Sequence, residues 1–134
     1  MRAVLDANVL ISALLSKDGA PARLIQSWLA GEFELVVCER LLAETAVALA
    51  QPKLSGRVDP ADAEEFLALV RELAEVVADP HEAPPIPSPD PSDDYLLALA
   101  AREKAPLVSG DQHLLTLRDR APVLEPRELL EHLA

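Results

Sequence analysis

Hydrophobic positions along this chain switch repeatedly between short unbroken runs and a spacing of three to four residues. Arg2-Ala3-Val4-Leu5 is an apolar run and predicts a buried first strand. Asp6-Ala7-Asn8 ends it, and Val9 to Leu15 predict a short, mostly buried helix. Lys17-Asp18-Gly19 reads as a turn. Pro21 suits a first helical position, and the segment to Ala30 places Leu24, Ile25, Trp28 and Leu29 on one face before Gly31 closes it. Phe33 to Cys38 predict a second strand, and Glu39 to Ala50 a helix packing Leu41, Leu42, Thr45 and Leu49 inward. Gln51-Pro52-Lys53 is expected to stop that helix. Asp59 and Pro60 then supply a cap and a first helical residue for a helix from Ala61 to Glu75, followed by a third strand over Val76-Val77-Ala78.

Residues 80–91 hold six prolines. Neither flank carries a complete core of its own, so this stretch reads as a stiff surface loop inside one domain spanning 1–134. Ser92 or Asp93 caps a helix to about Lys104, and Pro106 to Ser109 form a fourth strand. Asp111 caps a helix to about Leu117, Val123-Leu124 make a fifth strand, and Pro126 opens a last helix with Leu129, Leu130 and Leu133. Strand alternating with helix predicts an α/β fold, a three-layer α/β/α sandwich around a parallel sheet of about five strands.

Composition narrows the choice of chemistry. Half of the 134 residues are hydrophobic and only 3% aromatic, so aliphatic side chains must fill the core. Cys38 is the single cysteine, which excludes an intramolecular disulfide and a cysteine-rich zinc site. No apolar run is long enough to span a bilayer and no cationic leader opens the chain, so the expected location is the cytoplasm, with no membrane partner. Four glycines and no glycine-rich loop after a strand argue against a dinucleotide or Walker site. The net charge of −11 excludes a general nucleic-acid clamp, because phosphate contacts normally supply most of such a protein's affinity. A nuclease stays open, since bound cations reverse local charge, and arginine outnumbers lysine nine to three.

The acids are the informative feature. Asp6, Glu44, Asp93 (with Asp94) and Asp111 come from distant parts of the chain, and at least three sit where a strand or loop passes into a helix. In a parallel α/β sheet, strands end at the edge that holds the ligand. Carboxylates gathered there repel one another unless a cation joins them, so the pattern points to a hard divalent ion and phosphoryl-transfer chemistry. Each residue also has an ordinary explanation. Asp6 and Asp111 would make helix caps, Glu44 could pair with Arg40 four residues earlier, and Asp93 and Asp94 suit a helix N-terminus. Asn8 is placed to orient Asp6 or to cap the same helix, Ser109 to hydrogen-bond a water or a phosphate, and Arg40 to support Glu44 or touch phosphate. His113 reads as a surface histidine beside Asp111, and Trp28 and Tyr95 are too isolated for a base-stacking platform.

Four segments resemble the motifs of PIN-domain proteins in order and spacing: Val4 to Ser12, Cys38 to Glu44, Asp90 to Ala100, and Leu107 to Leu115. The chain is most similar to the toxin component of bacterial toxin–antitoxin pairs. The resemblance implies a single-strand-directed endoribonuclease that uses Mg2+ or Mn2+. It makes Asp6, Glu44, Asp93 and Asp111 the acidic quartet, with Asp94 competing with Asp93 and with Asn8 and Ser109 in support. It also implies an antitoxin partner and a homodimer. Cys38 departs from the pattern, since the second motif usually begins with serine.

Two other functions compete. A receiver-like phosphotransfer domain also gathers acids at strand ends, but it needs a lysine near the phosphate, and none of Lys17, Lys53 and Lys104 ends a predicted strand. A non-catalytic PIN-like interaction module suits the acidic charge; the presence of all four acids speaks against it.

Overall fold

In the computed structural model, which describes residues 1–134, the apolar runs become five strands: β1 (Arg2–Leu5), β2 (Glu34–Cys38), β3 (Glu75–Val77), β4 (Leu107–Val108) and β5 (Val123–Leu124). All neighbours pair in parallel, in the order β3-β2-β1-β4-β5. Growth of the sheet runs from β1 to β3 on one side and then reverses across β1 to β4 and β5. The reversal leaves a crevice between the carboxyl ends of β1 and β4, the place where open α/β sheets hold ligands.

Eight helices cover the sheet: α1 (Ala7–Leu15), α2 (Ala20–Leu29), α3 (Glu39–Leu49), α4 (Pro52–Ser55), α5 (Pro60–Leu73), α6 (Asp94–Glu103), α7 (Gln112–Leu115) and α8 (Pro126–Leu133). Helix α1 packs on α2 and α3, and α3 on α5, whereas α6 packs on β1 and β4. The chain crosses the sheet one way from β1 to β3 and returns the other way from β3 to β4, and the right-handed preference of such crossovers puts these two sets on opposite faces, giving the α/β/α layering.

Local chemistry sets the helix starts. The Val9 N–H donates to Asp6 Oδ1 at 2.8 Å and the Ala61 N–H to Asp59 Oδ1 at 2.9 Å, so each aspartate satisfies an otherwise unpaired first-turn donor. Gly31 adopts φ 82° just after α2, a conformation that costs a side-chain-bearing residue strain. Helix α8 opens with a capping box between Glu125 and Glu128.

One cluster of 29 buried residues runs from Ala3 to Leu129 and joins residues from both sides of the proline-rich stretch. Leu5, Leu35, Val36, Val37, Leu99, Leu107 and Leu114 form its centre. A second, small cluster of Ile11, Leu49, Val58 and Ala63 fills the space among α1, α3 and α5. No helix is long and apolar enough to cross a membrane.

The elements differ from the sequence expectation at several ends. Helix α1 starts at Ala7 rather than Val9, so Asn8 lies on the helix and not in a turn. Pro52 starts the one-turn α4 where a plain stop was expected, because proline fits a first helical position as well as it blocks the preceding helix. Helix α5 ends at Leu73, and β3 takes Glu75 in place of Ala78, in register with Val36 to Cys38. Helix α7 ends at Leu115 rather than about Leu117.

Candidate active site

Three of the expected acids meet in one cleft at the carboxyl edge of the sheet. A cavity of about 290 Å3 is lined by Asp6, Asn8, Glu44, Ser92 and Asp93, with Ala7, Ile11, Ala48 and Leu96 as its apolar wall. Asp111 does not line it. It lines an adjoining cavity of about 290 Å3 with Asn8, Ser12 and Gly110, so Asn8 stands between the two.

Asp6 is the most enclosed of the set, at 3% exposure, because it follows β1 directly and is covered by the first turn of α1. Burial pushes its carboxyl above the ordinary range, and Asp111 pushes the same way, against the pull of Ser109 and the Val9 N–H. Ser109 is fully buried at the end of β4, and its Oγ accepts from the Asp111 N–H at 2.9 Å. Asp111 in turn caps α7, its Oδ1 accepting from the His113 N–H at 2.8 Å. The adjacent strand ends of β1 and β4 therefore bring Asp6 close to the hydrogen-bonded pair of Ser109 and Asp111.

Asp93 and Asp94, adjacent in sequence, go different ways. Asp94 Oδ1 accepts from the Ser88 N–H at 2.7 Å and ties the proline-rich loop to the start of α6. Asp93 makes no side-chain capping bond, and its Oδ2 is buried without any hydrogen-bond partner. A buried, unpaired carboxylate oxygen is costly and uncommon in native proteins. Its pKa is pushed up to about 6, first by burial and then by the charges of Asp90, Asp111, Asp6 and Glu44.

Glu44 occupies the rim of the cleft on α3. The Tyr95 hydroxyl donates to its Oε2 at 2.7 Å, and Arg40 Nε stands 3.9 Å from its Oε1. The Arg40 guanidinium lies over the Tyr95 ring, 4.1 Å from the centroid. The Arg40–Glu44 pair expected from their spacing is therefore present as a long contact, and Glu44 also faces the cleft. Arg40's own N–H donates to Asp79 Oδ1 at 3.0 Å, which anchors the first turn of α3 to the chain leaving β3. His113 is exposed, 3.8 Å from Asp111 through Nδ1.

Sequence reasoning missed Tyr95 and Asp79. From the sequence Tyr95 reads only as an isolated aromatic ring; at 6% exposure it is instead a buried support for Glu44, 51 positions away in the chain. Asp79 carried the same signal as the other acids, a carboxylate just past a strand, but it is used as a cap.

The donors present suit a hard divalent cation: all are oxygens, they repel one another, and one buried oxygen has no partner. No three of them converge closely enough to enclose one ion in their present rotamers. Mg2+ ordinarily takes only one or two protein carboxylates and fills its octahedron with water and substrate oxygens, so the arrangement fits it without a closed protein cage.

A doubly wound parallel sheet with an acidic cleft at its switch point is the fold and site class defined here. A family model for the PIN domain matches residues 2–113, and the chain belongs to that family, whose members are generally nucleases. Among solved structures it is similar to PAE2754 from Pyrobaculum aerophilum, with 20% identity, a TM-score of 0.67, and 99% of this chain and 89% of that one covered. It is similar also to VapBC2 from Rickettsia felis bound to a DNA fragment from their promoter, with 15% identity, a TM-score of 0.61, and 93% and 98% covered. A PilT N-terminus domain protein, SSO1118 from Sulfolobus solfataricus P2, matches with 17% identity, a TM-score of 0.54, and 99% and 93% covered. At these identities the likeness is one of fold. No curated protein matches the chain.

Proposed function

We propose that this protein is a Mg2+- or Mn2+-dependent endoribonuclease that hydrolyses RNA phosphodiester bonds, and that it is the toxin of a toxin–antitoxin pair acting in the cytoplasm as one domain. The single observation that carries the reading is the buried, unpartnered Oδ2 of Asp93 in a cleft shared with Asp6 and Glu44. Asp6, Glu44, Asp93 and Asp111 are the residues proposed to hold the ion. Asp94 is assigned to the loop rather than the ion because its Oδ1 is engaged by Ser88.

When bound, the ion supplies an acidified water and neutralises charge on the phosphate undergoing in-line displacement. The chain's own part is placement. Asp6 is held by the Val9 N–H, and the Asp93 backbone is placed by the start of α6, so both carboxyls are delivered to the same cleft. Asn8, between the two cavities, is positioned to orient Asp6 or the substrate. Arg40 is the arginine beside the acidic rim and offers a fork for the RNA backbone.

Family membership supports the nuclease assignment. The likeness to VapBC2 supports an antitoxin protein as partner, and the family resemblance supports a homodimer. The net charge of −11 favours the second reading, a PIN-like module that binds protein without catalysis. Incubating the wild type and Asp93→Asn with a labelled single-stranded RNA, with Mn2+ and then with a chelator, separates the two. The nuclease reading expects cleavage by the wild type with Mn2+ only and none by the variant. A folded wild type that binds no Mn2+ and cleaves no RNA overturns it and leaves the interaction module.

A further inference from the structure

Glu44 differs from the other acids in the cleft by lying on a helix rather than at a strand end, with much of its side chain exposed. A long, exposed glutamate samples many rotamers, and holding it in one costs conformational entropy. Here a single hydrogen bond restrains it. The Tyr95 hydroxyl has one hydrogen-bond partner, Glu44 Oε2 at 2.7 Å. That leaves Oε1 directed away from the phenol, with only the 3.9 Å contact to Arg40. The same aromatic ring carries the Arg40 guanidinium on its face at 4.1 Å. Tyr95 is itself buried: it lies in the first turn of α6, two residues after Asp93, and packs into the main core.

We propose that Tyr95 is a positioning residue for the cleft: its hydroxyl fixes Glu44 beside Asp93, and its ring holds Arg40 next to them. One core side chain thereby sets an acid and a cation at the same rim, and couples α3 to the helix that carries Asp93. The role rests on the proposed metal-dependent reading of the site. It acts through Glu44 and Arg40, and Tyr95 itself touches neither ion nor substrate. Outer-shell partners of this kind orient a ligand and raise its affinity for the ion.

The test separates hydroxyl from ring. Tyr95→Phe keeps the ring and the core packing and removes only the bond to Glu44. Calorimetric titration with Mn2+ alone compares the wild type, Tyr95→Phe and Glu44→Gln, with thermal melts of the metal-free proteins as the folding control. Tyr95 is the only tyrosine in the chain, so its Raman doublet reads hydrogen-bond donation without interference. Glu44→Ala, which removes the acceptor of the Tyr95 hydroxyl, should shift that doublet before any metal is added. The expected result is Mn2+ affinity about tenfold weaker in Tyr95→Phe, at the lower end of the loss for an outer-shell partner, with an unchanged metal-free melt. Unchanged affinity in Tyr95→Phe, while the wild type binds and Glu44→Gln binds weakly, overturns the positioning role and leaves the metal reading intact. A tyrosine doublet that ignores Glu44→Ala, which removes the acceptor, overturns the contact itself. A wild type that binds no Mn2+ overturns the role together with the reading beneath it.

Discussion

The two edges of the sheet are both rich in charge, and they treat it in opposite ways. At the amino edge Arg2 forks between Glu75 Oε2 and Glu103 Oε1, each at 2.9 Å, and Arg102 Nε reaches Glu103 Oε2 at 2.8 Å. Arg2 and Arg102 hold the Glu103 carboxyl below its ordinary range. A cavity of about 640 Å3, larger than either acidic one, opens there between Arg2, Trp28, Glu34 and Glu75, but Arg2 is already engaged by Glu75 and Glu103. At the carboxyl edge burial raises both Asp6 and Asp93, the charge of Asp111 pushes each the same way, and Asp93 leaves an oxygen unpaired. Cavity size therefore does not mark the functional edge. What marks it is a buried carboxylate oxygen left without a partner from the same chain, a cost that selection against instability would remove unless a cation met it.

The comparison is broken most directly by neutralising an acid at each edge. Asp6→Asn or Asp93→Asn should reduce Mn2+-dependent cleavage on the order of 100-fold or more, since groups aligned with developing charge carry effects of that size. Single-turnover cleavage of a labelled RNA reads this. Glu103→Gln should leave the same rate unchanged within error.

Next in size is the dependence on pH. Asp93 titrates near 6 in the metal-free protein, and a proton there competes with the ion. Mn2+ affinity should hold above that value and fall about tenfold per unit below it, as measured by calorimetry across pH 5 to 8.

Stability should respond with opposite signs at the two edges. The raised pKa of Asp93 means the folded state takes up the proton more readily than the unfolded chain. Its contribution to stability is therefore full below the ordinary value of 3.8 and is lost as pH rises through about 6. The lowered pKa of Glu103 works the other way: its contribution is present above its ordinary value of 4.5 and is lost as pH falls through the lowered one. The metal-free melting temperature should accordingly rise on going from pH 7 to pH 5 and fall again at stronger acid. Asp93→Asn should stabilise the metal-free protein at pH 7 by about 1 kcal/mol, less than the full shift implies because the group is partly screened by water. It should reduce the rise between pH 7 and 5, leaving the part that the raised carboxyl of Asp6 contributes. The smallest effect expected is that of Arg2→Gln, a melting temperature lower by a few degrees at roughly constant Mn2+ affinity.

Much of this division was legible in the residues. Apolar runs ending in Asp6 and Asp111 place two acids at strand ends, because a strand that stops at an aspartate leaves that aspartate to start the next helix. The parallel sheet followed from the alternation of Val- and Leu-rich runs with amphipathic helices. The choice between Asp93 and Asp94 was not legible, since neighbours at a helix start point roughly 100° apart and either side chain can face the sheet. It is the fold-back of the proline-rich loop, bringing the Ser88 N–H to Asp94, that separates them. Tyr95 and Glu44 are 51 positions apart, and no local pattern links a core tyrosine to a glutamate on another helix. The short helix at Pro52 was hidden because one proline both ends α3 and begins α4.

The central claim is that the carboxyl edge is left anionic to be completed by a divalent cation. The most direct measurement is a calorimetric titration of the metal-free wild type and of Asp93→Asn with Mn2+ at pH 7.5, each checked by a thermal melt. The account predicts saturable binding by the wild type, with a raised melting temperature, and loss of both in a variant that remains folded. A folded wild type showing no heat and no thermal shift at millimolar Mn2+ would contradict it.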